Sequence, residues 1–429
     1  MKLILAIWLG KLIFFLTRLL RIGGGSAAPG LYALKIQPGL IKQLSSQIPQ
    51  NIVITGTNGK TTTARILDSL VKSQNLKTIR NSTGSNLERG IASALIKHST
   101  ILGRLKKTDL SIWELDEAAF NKAVFDLKPQ IIIFLNAFRD QLDRYGEVDA
   151  VVKKWQETLE KINWNPKIIV NGSDANTTLL SKAKNKDISV FKGLNIGTYG
   201  EKAQKNLRSK ADFEVKIASD KGLMGLEVEL SYNGESLKID FPVPGKYHAF
   251  DLTAAIAAYY FLNLSLEGIS DTLKSYSPAF GRVEKTNIGQ GKEAFIFLIK
   301  NPAGASLVFQ TLAKVIKKND KVLIALNDNF ADGTDVSWIW DAQFELLNKI
   351  SPREIICSGK RAEDLALRLK YGGFELKNLE IEPDLMQAFK MGKSGLEGSL
   401  FILPTYTAML KVQEILVSEG HKSHYWRED

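Results

Sequence analysis

Gly56-Thr57-Asn58-Gly59-Lys60-Thr61-Thr62 is the stretch of this 429-residue chain best equipped for chemistry. Its glycines let backbone N–H groups approach a phosphate that a Cβ would hold away. Lys60 adds a full positive charge. The Thr61 hydroxyl is of the kind that holds a magnesium ion bridging nucleotide phosphates. Such a turn works between a strand and a helix, where converging N–H groups and the helix dipole supply positive potential. The flanks offer both, an apolar run over residues 51–55 and a helical pattern over 62–74. A general P-loop has Gly five residues before Gly59, and Ile54 stands there. The plain alternative is a Gly-rich βα turn that binds nothing.

Carboxylates and amides recur where further strands should end. Glu114 closes a predicted strand over 110–115 and can complete a magnesium shell with Thr61. The competing use is a solvated acidic helix start capped by Asp116. Asn136 to Gly146 follows the next strand and is dense in polar groups, among them Arg139, Asp140 and Gln141. Asn171-Gly172-Ser173-Asp174 follows a fourth strand. Gly245-Lys246-Tyr247-His248-Ala249-Phe250-Asp251 precedes a helix, and Gly281-Arg282-Val283-Glu284 sits at a change of pattern. Cys357 is the single cysteine, follows a buried-looking strand and reads as structural.

Strands and helices alternate from residue 51 to about 260, which predicts a mostly parallel sheet covered on both faces. Residues 186–240 alternate apolar and polar side chains and predict a small antiparallel sheet with one wet face. From about residue 281 a second, Rossmann-like α/β unit follows, with strands over 294–299, 321–325, 354–358 and 399–403. It has no Gly-rich dinucleotide fingerprint, so NAD is not expected there. The expected division is 1–45 for an N-terminal apolar helix and linker, 46–283 for the phosphate-loop domain and 284–429 for the second α/β domain.

A net charge of +11 points to anionic partners. No aromatic-basic pattern suggests nucleic acid. One cysteine excludes an internal disulfide and fits a reducing compartment. Residues 1–22 are apolar but broken by Lys11, Arg18 and Arg21, so a spanning helix is not expected. Two uses stay open: lying on the membrane interface or docking on the protein. Residues 23–30 read as a Gly/Ala/Pro linker.

The short form Gly-Thr-Asn-Gly-Lys-Thr-Thr resembles the ATP loop of the Mur ligase family. Residues 136–146 resemble that family's Asn-x-x-x-Asp-His-Leu-Asp-x-x-Gly loop, with Gln141 in place of His. Residues 171–174 resemble its Asn-x-Asp-Asp nucleotide loop, with Ser173 departing. His248 and Asp251 stand where the family's turn before the last helix carries Asn. Lys300-Asn301-Pro302-Ala303-Gly304, the run Asn327 to Asp341, and Asn81-Ser82-Thr83-Gly84-Ser85-Asn86 resemble the MurT branch. The resemblance spans roughly residues 30–415.

It implies a Mur-ligase-type central ATPase domain and ATP-dependent amidation of the D-glutamate α-carboxylate of the lipid II stem peptide, through an acyl phosphate, in the cytoplasm. It implies ATP contacts at Gly56 to Thr62, Asn171, Asp174 and Arg282, and magnesium at Thr61 and Glu114. Substrate contacts would fall at Asn81, Ser85, Asn86, Arg139 and Asp140. The implied partner is the glutaminase subunit GatD, with Asp335 orienting the glutaminase histidine. Local chemistry alone makes Asp335 a helix cap. Many MurT proteins carry a zinc ribbon, but this chain lacks the cysteines, and no zinc is expected. Two other functions stay open: an autonomous Mur or folylpolyglutamate-type ligase, and a nucleotide-gated membrane scaffold.

Overall fold

The computed structural model describes residues 1–19, 27–81, 85–138, 148–183, 185–194, 211–278, 282–350 and 352–422, the side chains of Arg18 and Arg282 excepted. The first sheet has nine strands. They are β1 (Gln50–Thr55), β2 (Thr78–Arg80), β3 (Leu110–Leu115), β4 (Ile131–Phe134), β5 (Lys167–Asn171), β6 (Asp187–Leu194), β7 (Phe213–Asp220), β8 (Leu226–Tyr232) and β9 (Glu235–Phe241). Their order is β2-β3-β1-β4-β5-β6-β7-β8-β9, parallel as far as β7 and antiparallel beyond it.

The central strand shows why the apolar runs are continuous. Ile52 and Ile54 pack on one face with the helices Lys60–Ser73 and His248–Phe261, while Val53 packs on the other. A strand buried on both faces has no use for polar alternation. β8 keeps the alternation, with Leu226, Val228 and Leu230 inward and the residues between them partly open. The antiparallel strands expected as a small sheet are therefore present, but they continue the parallel sheet as a meander on its edge. A parallel pairing of β6 with β7 makes that join.

β1 pairs with β3 on one side and β4 on the other. The chain leaves β1, builds β2 and β3 on one flank, then crosses to β4. That is a topological switch point, where open α/β sheets bind ligands beyond the carboxyl ends of their strands.

The second sheet runs β10-β11-β15-β12-β13-β14, from β10 (Arg282–Asn287), β11 (Glu293–Phe297), β12 (Lys321–Ala325), β13 (Glu354–Ser358), β14 (Leu379–Ile381) and β15 (Leu400–Pro404). Only the β10–β11 pair is antiparallel. β11 ends before the expected residue 299, because Asn301 turns the chain and caps the helix Pro302–Leu312 by accepting from Gly304 N at 2.7 Å.

Three helices precede β1: α1 (Lys2–Leu19), α2 (Ala28–Ile36) and α3 (Leu40–Ser45). Part of the expected linker is thus helical. Pro29 fits a first helical turn, where its missing N–H costs nothing. Gly30 is held against the helix Glu88–His98, its N–H donating to Ser93 Oγ at 2.8 Å.

Candidate active site

The Gly-rich turn leaves β1 and enters the helix Lys60–Ser73 through Gly59, whose φ is +90°. A Cβ there would be strained and would collide with the Asp251 carboxylate, so only glycine fits. The turn is tied to the end of β4. Asn58 N donates to Asn136 Oδ1 at 2.8 Å, and Asn136 Nδ2 donates to Asn58 O at 2.9 Å. Phe138 N donates to Thr57 Oγ1 at 3.0 Å. Two strand ends thereby fix one loop.

Lys60 is 5 % exposed. Its ammonium donates to Gly56 O and lies 3.6 Å from Asp116 and 3.9 Å from Glu117. Burial pushes the Glu117 carboxyl up, but Lys60, Lys300 and hydrogen bonds from its own N–H and from Thr57 together hold Glu117 below the usual range. Thr61 Oγ1 donates to Glu114 Oε2 at 2.6 Å. A hydroxyl and a carboxylate at that spacing offer two hard oxygen ligands to one magnesium ion.

The second sheet reaches into the same place. Lys300 Nζ donates to Thr57 O at 3.4 Å. A cleft of about 760 Å³, counting its open mouth, lies between the two sheets. Asn58, Gly59, Asn136, Asn171, His248 and Lys300 are among its lining residues. His248 Nδ1 is 2.9 Å from Asp251 Oδ2, while His248 Nε2 is buried with no hydrogen-bond partner. Val283 also lines the cleft, with φ +62°, a strained value for a β-branched residue. It sits where the chain passes from one sheet to the other.

Comparison with known proteins gives this geometry a family. The Mur ligase middle domain family matches residues 54–259, and the MurT ligase C-terminal family matches residues 298–409. The chain is 30% identical to the lipid II isoglutaminyl synthase (glutamine-hydrolyzing) subunit MurT of Staphylococcus aureus (strain COL), over 91% of this chain and 93% of that protein. This chain belongs to the MurT family of Mur ligases. The Streptococcus pneumoniae (strain ATCC BAA-255 / R6) MurT subunit is 28% identical over 93% of this chain and 94% of its own length. MurF from Acinetobacter baumannii shares the fold at TM-score 0.69 and 19% identity, covering 91% of this chain and 80% of that one. Mycobacterium tuberculosis folylpolyglutamate synthase, solved with ADP, shares it at TM-score 0.63 and 17% identity, with coverage of 88% and 93%.

In this MurT-family chain the residues singled out by sequence fall into three groups. Gly56 to Thr62 and Glu114 converge around the loop, and Asn171 joins them on the cleft wall. Others are held by the scaffold. Asn81 donates to Glu114 O at 2.8 Å and Ser85 O at 3.1 Å and accepts from Glu114 N at 2.9 Å. It therefore positions the neighbouring loop. Asn86 O accepts from Asp116 N at 2.9 Å. The Ser85 hydroxyl, by contrast, is buried without a hydrogen-bond partner. Asp174 turns inward and accepts from Thr177 N and Thr177 Oγ1 at 2.7 and 2.9 Å. Burial pushes its carboxyl up to about 6, against those hydrogen bonds. Asp116 makes no side-chain cap bond to the helix Glu117–Leu127, contrary to the capping alternative. Arg139, Asp140, Gln141 and the Arg282 side chain lie outside the described residues.

Asp335 stands apart from this cleft, at the carboxyl end of the second sheet. It is exposed, and its Oδ1 accepts from Ser337 N at 2.8 Å. Cys357 is fully buried, and burial pushes its thiol up to about 12, which fits an inert core residue. Sequence reasoning did not assign Lys300, Asn301 or Asn136 to the site. Asn136 at a strand end was the available signal. Lys300 and Asn301 were singled out only as part of the 300–304 motif, and nothing in the sequence placed them at a loop 243 residues away.

Proposed function

We propose that this chain is the synthetase subunit of a lipid II isoglutaminyl synthase, amidating the α-carboxylate of D-glutamate in the stem peptide to D-isoglutamine. The observation that carries the reading is the convergence of the Gly59–Lys60 loop, the Thr61–Glu114 pair and Lys300 at one cleft. It occurs in a chain similar over nine-tenths of its length to subunits named for that synthase.

The residues fit a magnesium nucleotide. Gly59 provides a cradle that a Cβ would fill, and polar groups from both sheets converge on the cleft, Asn58 and Asn136 from one and Lys300 from the other. The unpartnered His248 Nε2 offers a polar contact on the same wall. ATP, when bound, supplies the phosphoryl group that activates a carboxylate, and magnesium supplies charge neutralisation. Gly59, Thr61 and Thr62 would present N–H and hydroxyl groups to the phosphates, bordered by Gly56, Thr57 and Asn58, whose turn is tied to Asn136 and Phe138. Lys60 would exchange its Gly56 carbonyl contact for phosphate oxygen and stabilise the transferring group. Arg282, at the start of β10, would add a second cation. Thr61 and Glu114 would hold magnesium. Asn171 would line the nucleotide site, with Asp174 bracing its loop. Ser85, Asn86, Arg139 and Asp140 would face the peptide, with Asn81 fixing the loop of Ser85.

Ammonia would come from glutamine on a partner, the glutaminase GatD, which Asp335 would contact. The protein would work in the cytoplasm. The division at residues 46 and 284 fits these roles, one unit for the nucleotide and one for the partner.

The test is reconstitution with the glutaminase, glutamine, magnesium ATP and lipid II, read by mass spectrometry. Conversion of the carboxylate to an amide is expected. Attachment of an amino acid by the chain alone would favour an autonomous ligase, and absence of ATP turnover under every condition would favour a scaffold.

A further inference from the structure

Helix α1 docks on the protein and also presents an apolar ridge to the outside. Ala6 and Ile7 are fully buried, and Gly10 sits against Ile96. Lys11 Nζ donates to Ser99 O at 2.7 Å, and Trp8 Nε1 donates to Ile101 O at 2.8 Å. Both bonds fix the helix in place. On the far side Leu5, Trp8, Leu12, Phe15 and Leu19 recur every three or four residues, each about half exposed or more. The loop that Trp8 grips adds Ile101 and Leu102, 61 % and 69 % exposed. A soluble surface rarely gathers so many large apolar side chains in one patch.

The two chain segments that build this ridge and its flank carry charge of one sign. The first acidic residue of the chain is Asp68, and residues 89–107 contain none. Exposed Lys2, Lys35, Lys97, Arg104, Lys106 and Lys107 come from these segments. Burial and the cations Lys97, Lys106 and Lys11 hold His98 below its usual range, which marks the charges beside the helix as one cluster. A second copy docked ridge to ridge would set these cations against their like. An anionic surface would match them.

We infer that the α1 ridge and the Ile101–Leu102 tip are a docking face for an anionic lipid bilayer, with the helix lying in the plane of the surface. The helix cannot stand across a membrane while one face is packed along its length on the protein, and no helix among the described residues is long and apolar enough to cross one. An in-plane helix of this kind buries its apolar face at the acyl boundary and sets its cations among headgroups. This inference does not rest on the reaction proposed above.

The test uses the full chain with phosphatidylcholine vesicles and with vesicles in which part of that lipid is phosphatidylglycerol, read by co-flotation. Binding to the anionic vesicles is expected, weakening as salt rises. Leu12→Glu with Phe15→Glu should weaken it by at least about tenfold, since it removes apolar area and adds charge opposite in sign to the flanks. Nucleotide binding by that variant should be unchanged and serves as the folding control. Lys106→Glu with Lys107→Glu should also weaken binding. Equal affinity for neutral and anionic vesicles would overturn the inference. So would undiminished binding by the Leu12/Phe15 variant. A ridge-dependent dimer that ignores vesicles would overturn it in favour of self-association.

Discussion

Asn58 and Asn301 exchange side-chain hydrogen bonds across the two sheets. Asn58 Nδ2 donates to Asn301 Oδ1 at 3.3 Å, and Asn301 Nδ2 donates to Asn58 Oδ1 at 3.1 Å. One residue belongs to the phosphate loop and the other caps a helix of the second unit. The position of the second unit is thereby coupled to the conformation of the loop.

Asn301→Asp probes that coupling. A carboxylate still caps the helix, but Asn301 is 1 % exposed, so thermal stability should also fall modestly. It cannot donate to Asn58, and two acceptors then face each other. Amidation should fall by about tenfold, for a net loss on the order of 1–1.5 kcal/mol, with nucleotide affinity nearly kept. Calorimetric titration beside a turnover assay checks this. Full turnover would show the pair to be incidental.

Lys60→Ala should abolish amidation and leave the fold intact. The ammonium contacts backbone carbonyl and carboxylates, and no apolar core atom depends on it. Removing it also leaves Asp116 and Glu117 facing the loop with less compensating charge, which disfavours phosphate further. Circular dichroism and single-turnover amidation together decide it. Normal turnover would refute the loop's role.

Thr61→Ala and Glu114→Gln probe the same ion. Either removes one hard ligand while the other remains. Each variant should need more magnesium for half-maximal rate, and the double variant should resemble the worse single one, because a two-ligand site fails once either is gone. Magnesium titrations of the three variants measure it. Unchanged magnesium dependence would leave the 2.6 Å contact as a plain hydrogen bond.

Asp335 has a local use already, accepting from Ser337 N at 2.8 Å. An amide can accept the same bond, so Asp335→Asn should not change stability. If the carboxylate orients the partner's histidine, glutamine-dependent amidation should drop sharply while amidation with free ammonia survives. Normal glutamine hydrolysis by the variant complex would reduce Asp335 to a turn residue.

Asp174 gives a pH prediction. Its carboxyl is raised from 3.8 to about 6 in the fold. The folded state then binds more protons than the unfolded one between those values, so this group's contribution to stability is full below the unfolded pKa and is lost as pH rises through about 6. Asp174→Asn does not titrate. Relative to the native chain the variant should gain roughly 2–3 kcal/mol between acid and neutral pH. Urea unfolding at both pH values measures the difference. A constant gap would mean that the carboxyl titrates near its ordinary value.

The local order of the chain was legible before its fold. Apolar runs of four to six residues marked β1, β3, β12 and β13 because strands buried on both faces must be apolar throughout. Gly59 and Lys60 announced a phosphate loop because that chemistry is local: glycine geometry, a cation and a helix start within seven residues. The edge strands β10 and β14 escaped notice because short, half-exposed segments carry little apolar signal. The helical start at Ala28 was masked by neighbouring glycines. What only the tertiary structure decided is long-range. Asn301 and Lys300 meet the loop from about 240 residues away. Asp174 turns inward to Thr177 in its own loop, and Asn81 commits its amide to Glu114. A sequence states which donors and acceptors exist, but a hydrogen bond needs about 3 Å and a direction, and those are fixed only when the sheets have packed.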